Sequence, residues 1–236
     1  PNKIAATRSF AHYQLLKSTA NKFKSQFLFE TNVGAGLPVL STLSDLVKSG
    51  DRIIKIEAVL SGTLNFIFNN YNAKRSFVEV VKKAKKEGYT EPDPRLDLSG
   101  EDVMRKILIL ARESGYQFDF EDVVGNNFLP KICQITKGEK DFYIKLAENE
   151  GHFATLYDQA TSKSCKLRYV ATFENQKLKT GLSQIAETHP FYQLEGKDNI
   201  VLFYTERYPE QPLVIKGAGA GAEVTASGIF ADVMRV

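Results

Sequence analysis

The sequence predicts an α+β fold, a mixed β-sheet with helices packed on one face. Two observations carry this. Helical patterns fill most of the first 160 residues, whereas strand patterns gather beyond residue 166, so the elements come in blocks rather than in strict alternation. Hydrophobic residues at 43% and charged residues at 25% of the 236 positions are ordinary globular proportions, enough for one large domain or two small ones.

In chain order, residues 7–25 carry a helical pattern, with Phe10, Tyr13, Leu15 and Leu16 as its apolar members. Phe27-Leu28-Phe29 reads as a short apolar strand. The Gly-containing turn Glu30–Pro38 feeds a helix that starts near Pro38 and stops at Gly50. Ile53–Leu60 alternates as a strand does. Ser61-Gly62-Thr63 opens a helix through Asn70, and Ser76-x-x-Glu79 is a capping box for a helix ending at Gly88. Residues 89–97 read as a polar, proline-bearing loop. Ser99-x-x-Asp102 reads as the cap of a helix that runs to about Ser114. Helices are expected over 120–129 and 140–160. Then come a hairpin of strands 166–173 and 177–185 about Asn175, strands 199–205 and 213–216, a glycine run at 217–222 and a closing helix.

Composition excludes several classes of function. The net charge is +3, and lysines are interspersed with acids, which gives neither a nucleic-acid footprint nor a polybasic membrane patch. No apolar run approaches the roughly 20 residues that span a bilayer. Cys133 and Cys165 have no metal-ligand spacing around them, and a reduced, cytoplasmic protein is the simple reading. His12, His152 and His189 are scattered and read as structural. The chain begins Pro1-Asn2-Lys3, without Met, and reads as part of a longer protein.

The chemistry-bearing cluster is Glu91, Asp97, Asp102, Arg105 and Lys106. Asp102 and Lys106 stand four apart on one helix and can share a face. Pro92 and Pro94 stiffen the loop that carries Glu91 and Asp97. On spacing alone this is equally a surface salt bridge beside an acidic helix start, or a set of carboxylates for a ligand ammonium with a lysine that moves a proton. The turn Val33-Gly34-Ala35-Gly36 is open in the same way. It is an ordinary strand-to-helix turn, or its glycines point carbonyl oxygens at a hard cation. Gly217-x-Gly219-x-x-Ala222 fits a dinucleotide fingerprint only formally, because no βαβ unit with a later acid follows it.

The stretch Gly88–Lys106 (GYTEPDPRLDLSGEDVMRK) resembles the signature of the homoserine dehydrogenases. Glu30–Pro38 and Leu60–Asn65 resemble two further segments of that family. Pro1-Asn2-Lys3 resembles the end of its nucleotide-binding half, and His189–Tyr192 and Gly217–Ala226 its C-terminal part. The order is kept over the whole chain and looks closest to the form fused behind an aspartokinase. Leu96 departs from the family, which usually carries Asp there; little effect is expected, because Glu91, Asp97 and Asp102 are retained.

The resemblance implies reversible oxidation of L-homoserine to L-aspartate 4-semialdehyde with NADP or NAD, in threonine, methionine and isoleucine biosynthesis. It implies Lys106 as general acid/base, with Lys3 and Asp97 also catalytic, and Glu91 and Asp102 as homoserine ligands. Gly88, Glu91, Gly221 and Lys3 are implied as cofactor contacts. Glu30, Val33, Ala35 and Leu37 are implied to hold a monovalent cation, sodium being the expected ion, largely through backbone carbonyls. Residues 1–30 then close a truncated, Rossmann-like nucleotide-binding domain. Residues 31–215 form the substrate, catalytic and dimerisation domain, and 216–236 return to the first. A homodimer or higher homo-oligomer is expected, with strands 166–185 as candidate contacts. The glycine-rich nucleotide loop would lie upstream, so the chain alone is expected to be nearly inactive. A reading of another class makes the chain only an oligomerisation and amino-acid-binding module.

Overall fold

The computed structural model describes residues 2–236. Pro1, part of the stretch that resembles the end of a nucleotide-binding half, lies outside the described residues. The elements are α1 (Ile4–Thr7), α2 (Phe10–Lys22), α3 (Val39–Lys48), β1 (Ile53–Val59), α4 (Gly62–Asn70), α5 (Phe77–Lys86), α6 (Pro94–Leu98), α7 (Glu101–Glu113), β2 (Val123–Asn126), α8 (Lys131–Gln134), α9 (Glu139–Glu148), α10 (Glu150–Thr161), β3 (Lys166–Glu174), β4 (Lys177–Ile185), β5 (Asp198–Thr205), β6 (Leu213–Ala218) and α11 (Ala222–Met234).

The six strands form one sheet in the order β2-β4-β3-β1-β5-β6. Only the β2–β4 pair is parallel, so the sheet is mixed, as expected. The hairpin turns at Asn175 and Gln176, both left-handed at φ +50° and +56°. Alternation sorts each strand by face. Ile56 and Ala58 of β1, Tyr169, Ala171 and Phe173 of β3, and Val201 and Phe203 of β5 enter the main core with Ile107, Leu110 and Ala111 of α7. Val59, Val170, Ile200 and Leu202 point the other way and pack with Phe191 and Leu194. That second face is covered not by a helix but by the strap 186–197, a run of consecutive turns. Arg168, 1% exposed, holds the strap by donating to the carbonyls of Phe191, Tyr192 and Leu194 at 3.1, 3.2 and 2.9 Å. Among the described residues no helix is long and apolar enough to cross a membrane.

Several local expectations need correction. Phe27–Phe29 is not a strand; it runs as irregular chain into a 3₁₀ turn at Glu30–Asn32. Residues 120–129 are not a helix but a 3₁₀ turn followed by β2, because Val123–Asn126 find a ladder partner in Leu178–Gly181. The helix expected at 140–160 is two helices that break at Asn149. The loop 89–97 contains α6: Asp93 accepts the Arg95 N–H at 3.0 Å, and Pro94 sits in the first turn, where its missing N–H costs nothing. Ser99 therefore closes α6 rather than capping α7.

The cap of α7 is Gly100, left-handed at φ +76°. Its α-carbon lies against Tyr169, and a Cβ there would fall 2.1 Å from the phenol oxygen. Gly100→Ala therefore meets both a clash and a backbone penalty. We expect a loss of about 2–4 kcal/mol in urea denaturation, with partial recovery on adding Tyr169→Phe. An unchanged midpoint would contradict this account of how α7 is seated.

Candidate active site

Helix α7 begins the site. Its 3.6-residue turn puts Asp102 and Lys106 on one face, and the Lys106 ammonium lies 2.8 Å from Asp102 Oδ2. Lys3, at the start of α1, reaches the other oxygen of the same carboxylate at 3.0 Å. Two arginines of α7 hold α1 where this is possible. Arg112 donates to the Ala6 carbonyl at 2.8 Å, and Arg105 to the Thr7 hydroxyl at 3.0 Å. That hydroxyl in turn donates to the Lys3 carbonyl at 3.0 Å. Arg105 thus secures the helix that carries Lys3.

The electrostatics of this group are asymmetric. Burial would push the Asp102 carboxyl up, but the charges of Lys106 and Lys3 outweigh it and hold the pKa at about 2. Asp102 stays ionised, and at 47% side-chain exposure it remains open to a small molecule. Lys106 is buried at 9% exposure. Its ammonium has one further acceptor, the Leu60 carbonyl at the end of β1, at 2.6 Å.

Asp97 plays a different part. Its Oδ2 accepts the Glu91 N–H at 2.9 Å, and its Oδ1 lies 3.0 Å from the Thr63 hydroxyl. Thr63, in the first turn of α4, also reaches the Tyr89 carbonyl. One carboxylate therefore pins the loop that carries Tyr89 and Glu91 against α4. Burial raises the Asp97 pKa; these hydrogen bonds oppose the shift, and the charges of Glu91 and Asp102 add to it. The Glu91 side chain is exposed and has no hydrogen-bond partner among the described residues.

Lys3, Asp102 and Lys106 are thus in direct contact, and Asp97 and the backbone of Glu91 are tied to them through α4 and the loop. Gly88 and Gly221, left-handed at φ +74° and +130°, stand in open space, with nothing within 4 Å of where a Cβ would lie. Glu30, Val33, Ala35 and Leu37 sit apart, in the turn before α3. The Glu30 carboxylate, 4% exposed, accepts the N–H groups of Leu40 and Ser41 at 2.6 and 2.9 Å. It caps α3 and is paired with Arg235 at 3.1 Å. Ala35 is left-handed at φ +52°. Several oxygens of this turn have no donor among the described residues, among them the carbonyls of Val33 and Ala35 and the buried Oδ1 of Asn32.

Sequence reasoning missed Thr63, the Leu60 carbonyl and Asn199, whose Nδ2 also reaches that carbonyl at 3.4 Å. For Thr63 a signal existed, since Ser61-Gly62-Thr63 opens a helix and lies in one of the family-like segments. A carbonyl at a strand end, and an Asn inside a strand pattern, offered none.

Comparison with known proteins completes the picture. The family model described as homoserine dehydrogenase matches residues 38–234. The chain is 44% identical to the chloroplastic bifunctional aspartokinase/homoserine dehydrogenase 1 of Arabidopsis thaliana, with 100% of this chain covering 26% of that protein. The bifunctional protein of Haemophilus influenzae is 42% identical, with 100% of this chain covering 29% of it. A solved Candida auris protein of unknown function superposes with a TM-score of 0.93 at 39% identity, over 100% of this chain and 68% of that one. A homoserine dehydrogenase from Thiobacillus denitrificans superposes at 0.74 with 25% identity, over 95% and 48%. The chain therefore spans little more than a quarter of the bifunctional relatives. With the family model covering most of its length, the chain belongs to the homoserine dehydrogenase family.

Proposed function

We propose that this chain is the catalytic and substrate-binding part of an NADP- or NAD-dependent homoserine dehydrogenase, interconverting L-homoserine and L-aspartate 4-semialdehyde. The observation that carries the reading is the convergence of Lys3 and Lys106 on Asp102. When bound, the nicotinamide cofactor supplies or takes the hydride at the carbinol carbon. What remains for the protein is a proton and an orientation. In oxidation Lys106, as the neutral amine, takes the hydroxyl proton as the hydride leaves and the carbon–oxygen single bond becomes a carbonyl; in reduction its ammonium returns that proton to the carbonyl oxygen. Lys3 provides a second cation beside the developing oxygen charge. The ammonium of homoserine is received by Glu91, exposed at the loop, and by Asp102, which has lone pairs left beyond its two lysines. Asp97 supports the chemistry by fixing the loop.

The residues fit a nicotinamide cofactor. Gly88 and Gly221 leave open space where a bound group can approach the backbone. A hyperthermophilic archaeal homoserine dehydrogenase of the same fold (TM-score 0.71, 24% identical) was solved in complex with NADPH. The turn before α3 also fits a monovalent cation such as sodium, since hard cations take oxygen ligands and the carbonyls of Val33 and Ala35 and Asn32 Oδ1 are uncommitted. Glu30 and Leu37 would contribute backbone oxygens, because the Glu30 carboxylate is spent on α3.

The terminal segments 1–30 and 216–236 are proposed as the edge of a nucleotide-binding domain around the central 31–215. Asn2, Ala5, Phe27, Leu28, Ile229 and Val233 line one cavity of about 390 Å³, so the two segments adjoin. Phe230, Val233 and Met234 of α11 are 64%, 61% and 70% exposed, an apolar face suited to such a domain. We also infer a homodimer or higher homo-oligomer through the sheet. A reducing compartment, the cytoplasm by our reading, is supported by two free cysteines.

Lys106→Ala is expected to lower kcat for homoserine oxidation by at least a hundredfold, and a wild-type rate would sink the assignment. Residues 1–236 alone are expected to show almost no turnover, and measurable NADP-dependent oxidation by this chain would overturn that expectation.

The acid limits of the two aspartates should differ. The Asp102 pKa is depressed to about 2, so the stability it adds is complete above the ordinary carboxylate value and is lost as pH falls toward 2. Asp97 is shifted the opposite way and takes up its proton first. Carboxyl-carbon NMR titration checks the order, and Asp102 titrating above Asp97 would refute it. For the cation, sodium in place of tetramethylammonium at equal ionic strength is expected to raise Tm, and identical melting curves would count against the site.

A further inference from the structure

The Leu60 carbonyl that receives Lys106 has a second donor, the side-chain amide of Asn199 near the start of β5. Only the NH₂ of that amide can face a carbonyl, which fixes its orientation. Nδ2 reaches Leu60 at 3.4 Å, and Oδ1 is turned away, buried and without a donor among the described residues. Asn199 is 1% exposed. A buried acceptor left unpaired is rare and costly, and an apolar residue at this strand position would avoid the cost.

What lies over the amide is the glycine run. A Cβ on Gly219 would fall 2.0 Å from Nδ2, 2.1 Å from Cγ and 2.6 Å from Oδ1 of Asn199. The run therefore rests directly on this side chain, and only glycine at 219 permits it. The β5–β6 ladder brings the run there by pairing Asn199 with Gly217 and Asp198 with Ala218. Two residues beyond Gly219 stands Gly221, proposed above as a cofactor contact. One buried amide thus touches the acceptor of the lysine on one side and the cofactor-facing segment on the other.

We propose that Asn199 is a positioning residue for the hydride-transfer step, fixing the Leu60 carbonyl that holds Lys106 and, through Gly219, setting the glycine run at a defined height against that lysine. This rests on the lysine and cofactor roles proposed above. With both lone pairs of Leu60 engaged, the carbonyl direction is fixed and Lys106 is held between it and Asp102. Loss of the amide donor frees the carbonyl, and the lysine relaxes away from the position that the cofactor requires. A shift of the amide moves the glycine run instead. Either way the lysine and the cofactor lose register, while Glu91 is untouched and Asp102 keeps its ion pair with Lys3.

The test is steady-state homoserine oxidation by the protein with its nucleotide-binding half. Asn199→Leu keeps much of the shape and removes the donor, and Gly219→Ala keeps the donor and displaces the amide. Both are expected to lower kcat by about tenfold to a hundredfold, to leave the homoserine KM within about threefold, and to displace the pH profile of kcat. Thr205, buried at the far end of β5, is the structural control: Thr205→Ala should lower Tm and leave kcat unchanged. If either variant fails to fold, Asn199→Ser is read by the same split between kcat and KM. Wild-type kcat in the Asn199 and Gly219 variants, beside an inactive Lys106→Ala, overturns the positioning role alone. Wild-type kcat in Lys106→Ala overturns the reading beneath it. A fall in kcat that merely follows Tm, equally in the Asn199 and Thr205 variants, also overturns the proposal.

Discussion

The site depends on one carboxylate that takes two ammonium groups from distant parts of the chain. Lys106 reaches Asp102 by helical spacing, which is a local and inexpensive arrangement. Lys3 reaches it only because α1 is docked on α7 by Arg105 and Arg112. Two like charges held this close repel, and the shared anion makes the arrangement tolerable. In return the anion is strongly stabilised, which is why the Asp102 carboxyl falls to about 2 although its partial desolvation opposes the shift. Neither lysine would be well placed without the acid, and the acid would not be so firmly ionised without both lysines.

Around that centre the fold is a set of anchors made by backbone groups. Glu30 caps the start of α3, a charged cap in a buried setting worth about 1–2 kcal/mol. Asp97 collects a backbone N–H and a hydroxyl so that the loop at 89–91 and the start of α4 move as one body. The amide nitrogen of Asn65 in α4 lies within 3.5 Å of the carbonyls of Glu195, Gly196 and Asp198, and its two N–H groups tie the same helix to the end of the strap and the start of β5. Site residues from four separate stretches are in this way referred to one frame, with the sheet as its rigid part.

Much of this was legible in the sequence where the signal is local. The capping box at Ser76, the hairpin about Asn175 and the pairing of Asp102 with Lys106 are short-range patterns, and all three are found. The failures share a cause of the opposite kind. Val123–Asn126 carry too little periodicity to announce a strand and become one because β4 offers an edge more than 50 residues away. Asp93 captures a helix start inside what reads as loop, and so displaces the cap of the next helix by one residue. Asn199 looks like any strand residue until the register of β5 with β6 sets it beneath Gly219. Lys3 in contact with Asp102 was reachable only through family resemblance, because nothing in spacing links residue 3 to residue 102.

The strap over the outer sheet face shows a different economy. Arg168 grips it through main-chain oxygens, with no acidic partner among the described residues. Such a tether reads the path of the segment and is blind to most of its side chains. Side chains add to it at a few points: Phe191 and Leu194 are packed underneath with Tyr192 against them, and His189 lies 3.6 Å from Glu57. A loss at Arg168 would therefore be felt along the whole segment at once, from Phe191 to Leu194.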